Sequence, residues 1–268
     1  MKDKVVIITG ASSGIGKALA NKFASEGSKV IIGARNVESL RKVAKNIRDN
    51  GGEADFLRCD VSNETDCRNL ILKAVDTYGG IDILINNAGI SMRALFADLD
   101  LKVIKHLMDT NFWGTVYCTK HALPYILKNK GSIVGVSSVA GLKGLPGRTG
   151  YSASKFAING FMETLRTENI KNGLHVLMAF PGFTSSNIRN SALSADGSQQ
   201  GESPRQESKM MSAENVAVHI YKAIAGRKNR IVLTAEGKLI FWINKFFPAC
   251  LDALIYKSMA KEPDSPFK

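Results

Sequence analysis

Close to its start the chain reads Val5-Val6-Ile7-Ile8, then Thr9-Gly10-Ala11-Ser12-Ser13-Gly14-Ile15-Gly16, then a helical repeat carrying Ile15, Leu19 and Phe23. A short β-branched run with no polar alternation predicts a strand buried on both faces. Such strands belong to parallel sheets covered by helices, the α/β class. The glycines permit a tight turn whose backbone can approach a ligand closely. The helix that follows offers free N–H groups and the positive end of its dipole, a place suited to a pyrophosphate. The spacing is Gly-x3-Gly-x-Gly. A Walker-type loop is excluded, because Ile15 stands where that loop needs glycine and Ala18 follows Lys17 where it needs Ser or Thr.

The second strand, Lys29 to Gly33, ends in Ala34-Arg35-Asn36. A dinucleotide fold selective for NAD usually places a carboxylate here to hold the ribose 2′-hydroxyl. None is present, and the Arg35 guanidinium suits a 2′-phosphate, so NADP(H) is the expected cofactor. The alternative is that Arg35 is a surface loop arginine. A third strand, near Ala54 to Arg58, leads to Asp60-Val61, where a carboxylate can bond an adenine amino group. The fourth, Ile81 to Ile85, ends in Asn86-Asn87-Ala88-Gly89, whose small residues let a flat cofactor pack against the backbone. A helix from about 103 to 128 carries Asn111 in its interior. Asparagine there, close to Gly114, predicts a local distortion and an inward-facing amide that either bridges the backbone or holds a water linking Lys155 to solvent.

The segment from Ser137 to Lys155 holds the chemistry. Tyr151 and Lys155 lie four residues apart, and Ser138 precedes the tyrosine by 13 residues. On a helix, Tyr151 and Lys155 share a face. A free tyrosine keeps its proton until about pH 10. A cation beside it is expected to lower that value and make the phenol a usable acid or base, with Ser138 bonding the same substrate oxygen. Taken alone, Tyr-x-x-x-Lys would equally fit a surface helix pair.

These pieces, with Pro181-Gly182, occur in the order and spacing of the short-chain dehydrogenase/reductase family, and the chain resembles that family over about residues 4 to 234. The resemblance implies a Rossmann fold: a doubly wound sheet of seven parallel strands with helices on both faces. It further implies a catalytic Asn111, Ser138, Tyr151 and Lys155, with Ser138 and Tyr151 on the substrate. The cofactor would contact Gly10, Ser12, Ser13, Gly14, Ile15, Gly16, Arg35, Asn36, Asp60, Val61, Asn87, Ala88, Gly89, Tyr151, Lys155, Pro181, Gly182 and Thr184. Ala34-Arg35 looks like NADP(H)-preferring members. Tyr151 to Ala157 is similar to branches acting on steroid, lipid or other bulky apolar carbonyls. Homodimers or homotetramers through the helices near 103–128 and 151–171 are implied as well.

Composition is consistent with one domain, 1–268, of core 4–234, a polar substrate lid within 183–211 and an amphipathic extension over 235–260. Hydrophobic residues make up 44% and charged residues 22%, enough for a sizeable core in 268 residues. Lys+Arg 36 against Asp+Glu 24 leaves +12, but basic residues are scattered, with no block of five or six and no alternation with aromatics. Nucleic acid is therefore not an expected partner. Cys59, Cys67, Cys118 and Cys250 show no metal-ligand spacing, no metal is expected, and they read as inert thiols of a reducing compartment. A cytoplasmic protein is expected, with peripheral membrane contact through 237–260 as one reading and packing over the pocket or a subunit as the other. Pro248 divides that segment. In sum the sequence predicts an oxidoreductase interconverting ketone or aldehyde and alcohol, the alternative being a non-catalytic NADP(H)-binding sensor or scaffold. A hydrolase built on Ser138 is discounted for want of a Gly-x-Ser-x-Gly elbow.

Overall fold

A computed structural model describes residues 1–184, 188, 191–201, 210–261 and 265. Its strands are β1 (Val5–Thr9), β2 (Lys29–Ala34), β3 (Glu53–Arg58), β4 (Ile83–Asn86), β5 (Ser132–Val136), β6 (His175–Phe180) and β7 (Arg230–Val232). They form one parallel sheet in the order β3-β2-β1-β4-β5-β6-β7. The helices are α1 (Gly14–Ser25), α2 (Val37–Asp49), α3 (Glu64–Tyr78), α4 (Leu101–Leu107), α5 (Gly114–Lys128), α6 (Thr149–Glu168), α7 (Ala213–Ala225), α8 (Ala235–Phe246) and α9 (Pro248–Ala260). This is the doubly wound sheet that the sequence predicts.

The unbroken apolar run of β1 now has its explanation. Val6 and Ile8 face one core with Leu19 and Phe23 of α1, Leu40 and Ile47 of α2, and Val216 and Ile220 of α7. Val5 and Ile7 face the opposite core with Leu70 of α3, Ile126 of α5, and Ile158 and Met162 of α6. Alternation is invisible in the sequence because both sides of the strand are dry. The strand order reverses between β1 and β4, and a cleft opens there at the carboxyl ends of the strands.

Between α4 and α5, residues Met108–Trp113 form a π-helical turn, so the predicted single helix is continuous but carries the expected distortion at Asn111. One extra residue per turn rotates Asn111 fully inward. Helix α6 begins at Thr149, two residues before Tyr151, and its start packs against α4: a Cβ on Gly150 would lie 2.9 Å from Leu107 Cδ1. Of the lid expected over 183–211, residues 185–187, 189–190 and 202–209 lie outside the described residues. Of its described parts, Thr184 bridges Met211 and Leu193 bridges Met92. Met211 packs against the core shared by α1 and α7.

Gly10 is needed for its backbone conformation and Gly16 for space. Gly10 has φ +66, and a Cβ on Gly16 would stand 2.4 Å from Gly10 O and 2.6 Å from Asn87 Nδ2. Gly16→Ala is therefore expected to destabilise the fold by about 1–3 kcal/mol, the usual cost of overpacking. Gly144→Ala, whose added Cβ meets nothing within 4 Å, is expected to leave the thermal midpoint in place. Thermal unfolding followed by circular dichroism checks the pair.

Candidate active site

The glycine turn is stitched to the loop after β4 by one hydroxyl. Thr9 Oγ1 accepts from the N–H groups of Asn87, at 3.1 Å, and Ala88, at 3.0 Å. Asn87 Nδ2 returns a bond to Thr9 O at 2.9 Å. The sequence places Thr9 at the head of the glycine turn without assigning it a role; a threonine closing a buried strand is the signal for one. Helices α2, α3, α7 and α8 are capped by the side chains of Asn36, Asn63, Ser212 and Thr234. At α1, Ser13 makes no side-chain cap. The N-terminal donors of α1 thus stay open toward the cleft, as an anionic group requires.

The cleft is a cavity of about 610 Å³. It is lined by Gly10, Ser12, Ser13, Gly14, Ile15 and Gly16 of the turn, by Arg35 and Asn36 after β2, by Asp60 and Val61 after β3, and by Asn87, Ala88 and Gly89 after β4. Ser138, Tyr151 and Lys155 line its middle, with Pro181, Gly182 and Thr184 after β6. Asp60 accepts from Ser62 N and Oγ, at 3.1 and 2.7 Å. Burial would raise its pKa, but these bonds and the charges of Arg35 and Arg58 outweigh burial and hold the carboxyl below its ordinary value.

Asn111 is the one predicted site residue that does not reach the cavity. Its Oδ1 accepts from Ile90 N at 2.8 Å, while Nδ2 donates to Ile90 O at 3.0 Å and to Ser154 Oγ at 2.9 Å. Of the two uses considered for this amide, the structure displays the backbone bridge. A Cβ on Gly89 would lie 3.1 Å from Asn111 Oδ1 and 3.4 Å from Lys155 Nζ. A side chain there would press on the Asn111 amide, which would have to give by a few tenths of an ångström.

Ser138 follows β5 in extended conformation, and its Oγ accepts from Ala140 N at 3.2 Å. Tyr151 and Lys155 are both buried. Lys155 Nζ donates to Val136 O at 3.0 Å and lies 5.7 Å from the centre of the Tyr151 ring. The electrostatics correct the sequence expectation. Burial pushes the Tyr151 phenol above its ordinary value, outweighing the opposing hydrogen bond from Ser138 and the charge of Arg148. Burial also lowers Lys155 to about 8, a displacement worth roughly 3 kcal/mol against the ammonium. Arg148, the N-cap residue of α6 three residues before the tyrosine, is a cation that favours the phenolate. It is buried, donates to Met92 O at 2.5 Å and to Ser91 Oγ at 3.3 Å, and lines the cavity. Its place three residues before Tyr151 was the sequence signal that could have found it.

The far end of the cavity is apolar. Leu145, Ile188 and Leu193 line it together with Ile240 and Ile243 of α8 and Leu251, Ile255 and Met259 of α9, and Leu145 packs against that α8–α9 cluster. Residues of the extension thus line this end of the cavity.

The family model described as short chain dehydrogenase matches residues 4–197. The chain belongs to the short-chain dehydrogenase/reductase family. A protein of Sesamum indicum named 11-beta-hydroxysteroid dehydrogenase A is 32% identical across 97% of this chain and 78% of its own. The 11-beta-hydroxysteroid dehydrogenase-like 4A of Arabidopsis thaliana is 35% identical across 92% and 82%. A crystal structure of a short chain dehydrogenase/reductase from Burkholderia phymatum in complex with NAD superposes with a TM-score of 0.82, at 26% identity, covering 91% of this chain and 93% of that one. As a short-chain dehydrogenase/reductase the protein is an oxidoreductase.

Desolvation disfavours the phenolate, so the Tyr151 hydroxyl of the free protein is expected to keep its proton beyond pH 10. Subtracting the ultraviolet titration of Tyr151→Phe from that of the intact protein checks this. A difference signal rising below pH 9 would contradict the burial argument.

Proposed function

We propose that this short-chain dehydrogenase/reductase interconverts a bulky, apolar ketone or aldehyde and its alcohol with NADP(H). One observation carries the reading: the hydroxyls of Ser138 and Tyr151 stand in a single cavity between the glycine turn and an apolar chamber. The cofactor, when bound, supplies hydride to a carbonyl carbon or accepts it from a carbinol carbon. Everything else falls to the chain's own groups.

The residues present fit such a cofactor. The uncapped start of α1 suits a pyrophosphate. Arg35 is exposed on the cavity wall, where its guanidinium suits a 2′-phosphate, and Asp60 and Val61 would flank adenine. Pro181, Gly182 and Thr184 would hold the nicotinamide end. Tyr151 is protonated at neutral pH and can donate its proton to a carbonyl oxygen, which leaves a phenolate; the reverse direction starts from that phenolate, which takes the proton from an alcohol. Ser138 orients that oxygen with a second hydrogen bond. Lys155, under Gly89, would bond the ribose and share the site's positive charge with Arg148. Asn111 holds the backbone at Ile90 and so the loop that carries Gly89. The apolar chamber favours a lipid- or steroid-like substrate.

A second copy of the chain is the proposed partner. Trp113 and Phe156 are 43% and 47% exposed on the π-turn and α6, with Trp113 stacked on Tyr117 of α5. These are the helices on which pairing is expected.

Tyr151→Phe is expected to lower NADPH-dependent ketone reduction by about 10²–10⁴-fold, the usual worth of a positioned acid, while NADPH binding by fluorescence titration stays near its original strength. Undiminished turnover would refute the mechanism. Arg35→Asp is expected to shift the ratio of kcat/KM values from NADPH toward NADH; an unchanged ratio would remove Arg35 from the cofactor site.

A further inference from the structure

The cavity does not end in the chamber under α8 and α9; it opens between them. Leu239 of α8 and Leu254 of α9 both line the cavity, yet are 60% and 52% exposed, so they form its rim. Around that rim stand Trp242, Phe246 and Phe247, at 54%, 62% and 66% exposure. Leu239, Trp242 and Phe246 recur at helical spacing along the outward side of α8. Ile240 and Ile243 point the other way, onto Leu251, Ile255 and Met259. Both sides of α8 are therefore apolar, and among the described residues only the inner one is covered.

Building on the oxidoreductase reading above, we infer that this rim seats on an anionic lipid surface and that substrate reaches the cavity from the lipid. The arrangement of charge favours that occupant. The Trp242 and Phe246 rings lie parallel, with centroids 6.3 Å apart, and Lys245 Nζ is 5.7 Å from each. Aromatic rings with a lysine over their faces match the boundary between acyl chains and headgroups. Lys238, Lys257 and Lys261 are also exposed on this hairpin. Of its two carboxylates, Glu236 and Asp252, the second is held at 2.7 Å by Lys143 from the body of the protein. The chain as a whole carries +12.

The hairpin is fastened rather than loose: Asn244 Nδ2 donates to Leu142 O at 3.0 Å. Among the described residues no helix is long and apolar enough to cross a membrane, so the contact lies on the surface. A second copy packed over the same rim would plug the mouth of the cavity. A fluid acyl layer leaves it open to an apolar solute.

The test is co-sedimentation of the full chain, without cofactor or substrate, with phosphatidylcholine vesicles containing or lacking phosphatidylserine. Binding is expected to phosphatidylserine vesicles and to weaken without that lipid or at high salt. The triple variant Trp242→Ser, Phe246→Ser, Phe247→Ser is expected to lose about a hundredfold in affinity, and Lys245→Glu about tenfold. The triple variant, its fold verified by circular dichroism, is expected to turn over a water-soluble ketone unchanged and a vesicle-dissolved one more slowly. No binding by the intact chain, or equal binding by the triple variant, would overturn the inference. So would a result in which the intact chain ignores vesicles and the triple variant loses self-association, which would assign the rim to a contact between copies. Because the binding measurement involves no turnover, its failure is separable from failure of the oxidoreductase reading, which Tyr151→Phe tests.

Discussion

Seven strands that all run one way deliver their carboxyl ends to one edge, and each return to the start must pass through a helix. That constraint assembles this site. The turn after β1, Arg35 after β2, Asp60 after β3, Gly89 after β4, Ser138 after β5 and Pro181 after β6 are far apart in the chain, yet share one cavity wall. The reversal of strand order between β1 and β4 leaves a gap at that edge, where no crossover helix covers the sheet. Thr9 secures both sides of the gap, since its hydroxyl takes the N–H groups of Asn87 and Ala88.

Burial governs the chemistry of the pair at the centre. A helical spacing of four suggests that the lysine acidifies the tyrosine, and the two groups do lie together. Yet a phenol taken out of water resists ionisation, and here that penalty exceeds the help from Ser138 and Arg148. The ammonium is itself weakened by the same dry surroundings and directs a proton to Val136 O. The result is a neutral phenol beside cations, which suits a proton donor.

The carboxyl-terminal hairpin shows how one amphipathic segment serves two surfaces. Pro248 starts α9 and cannot continue α8, so the chain folds back on itself. The inward stripe closes the chamber. The outward stripe, with its aromatic rings and lysines, surrounds the chamber's mouth and makes an apolar patch of the kind that binding surfaces use.

The strand–glycine–helix order, the Asn86-Asn87-Ala88-Gly89 turn and the Tyr151-Lys155 spacing were legible because they are local: turn geometry and helix periodicity act between near neighbours. So was the distortion at Asn111, since an asparagine inside an apolar helix costs stability wherever it stands. What Asn111 bonds, how far burial outweighs the charges at the phenol, that Thr9 ties two loops together, and which side of α8 is covered all depend on groups brought close from distant parts of the chain. Desolvation and charge are sums over everything nearby in space. The sequence determined which groups this protein carries and in what order; only the packed fold decided how far water is kept from them, and so how they behave.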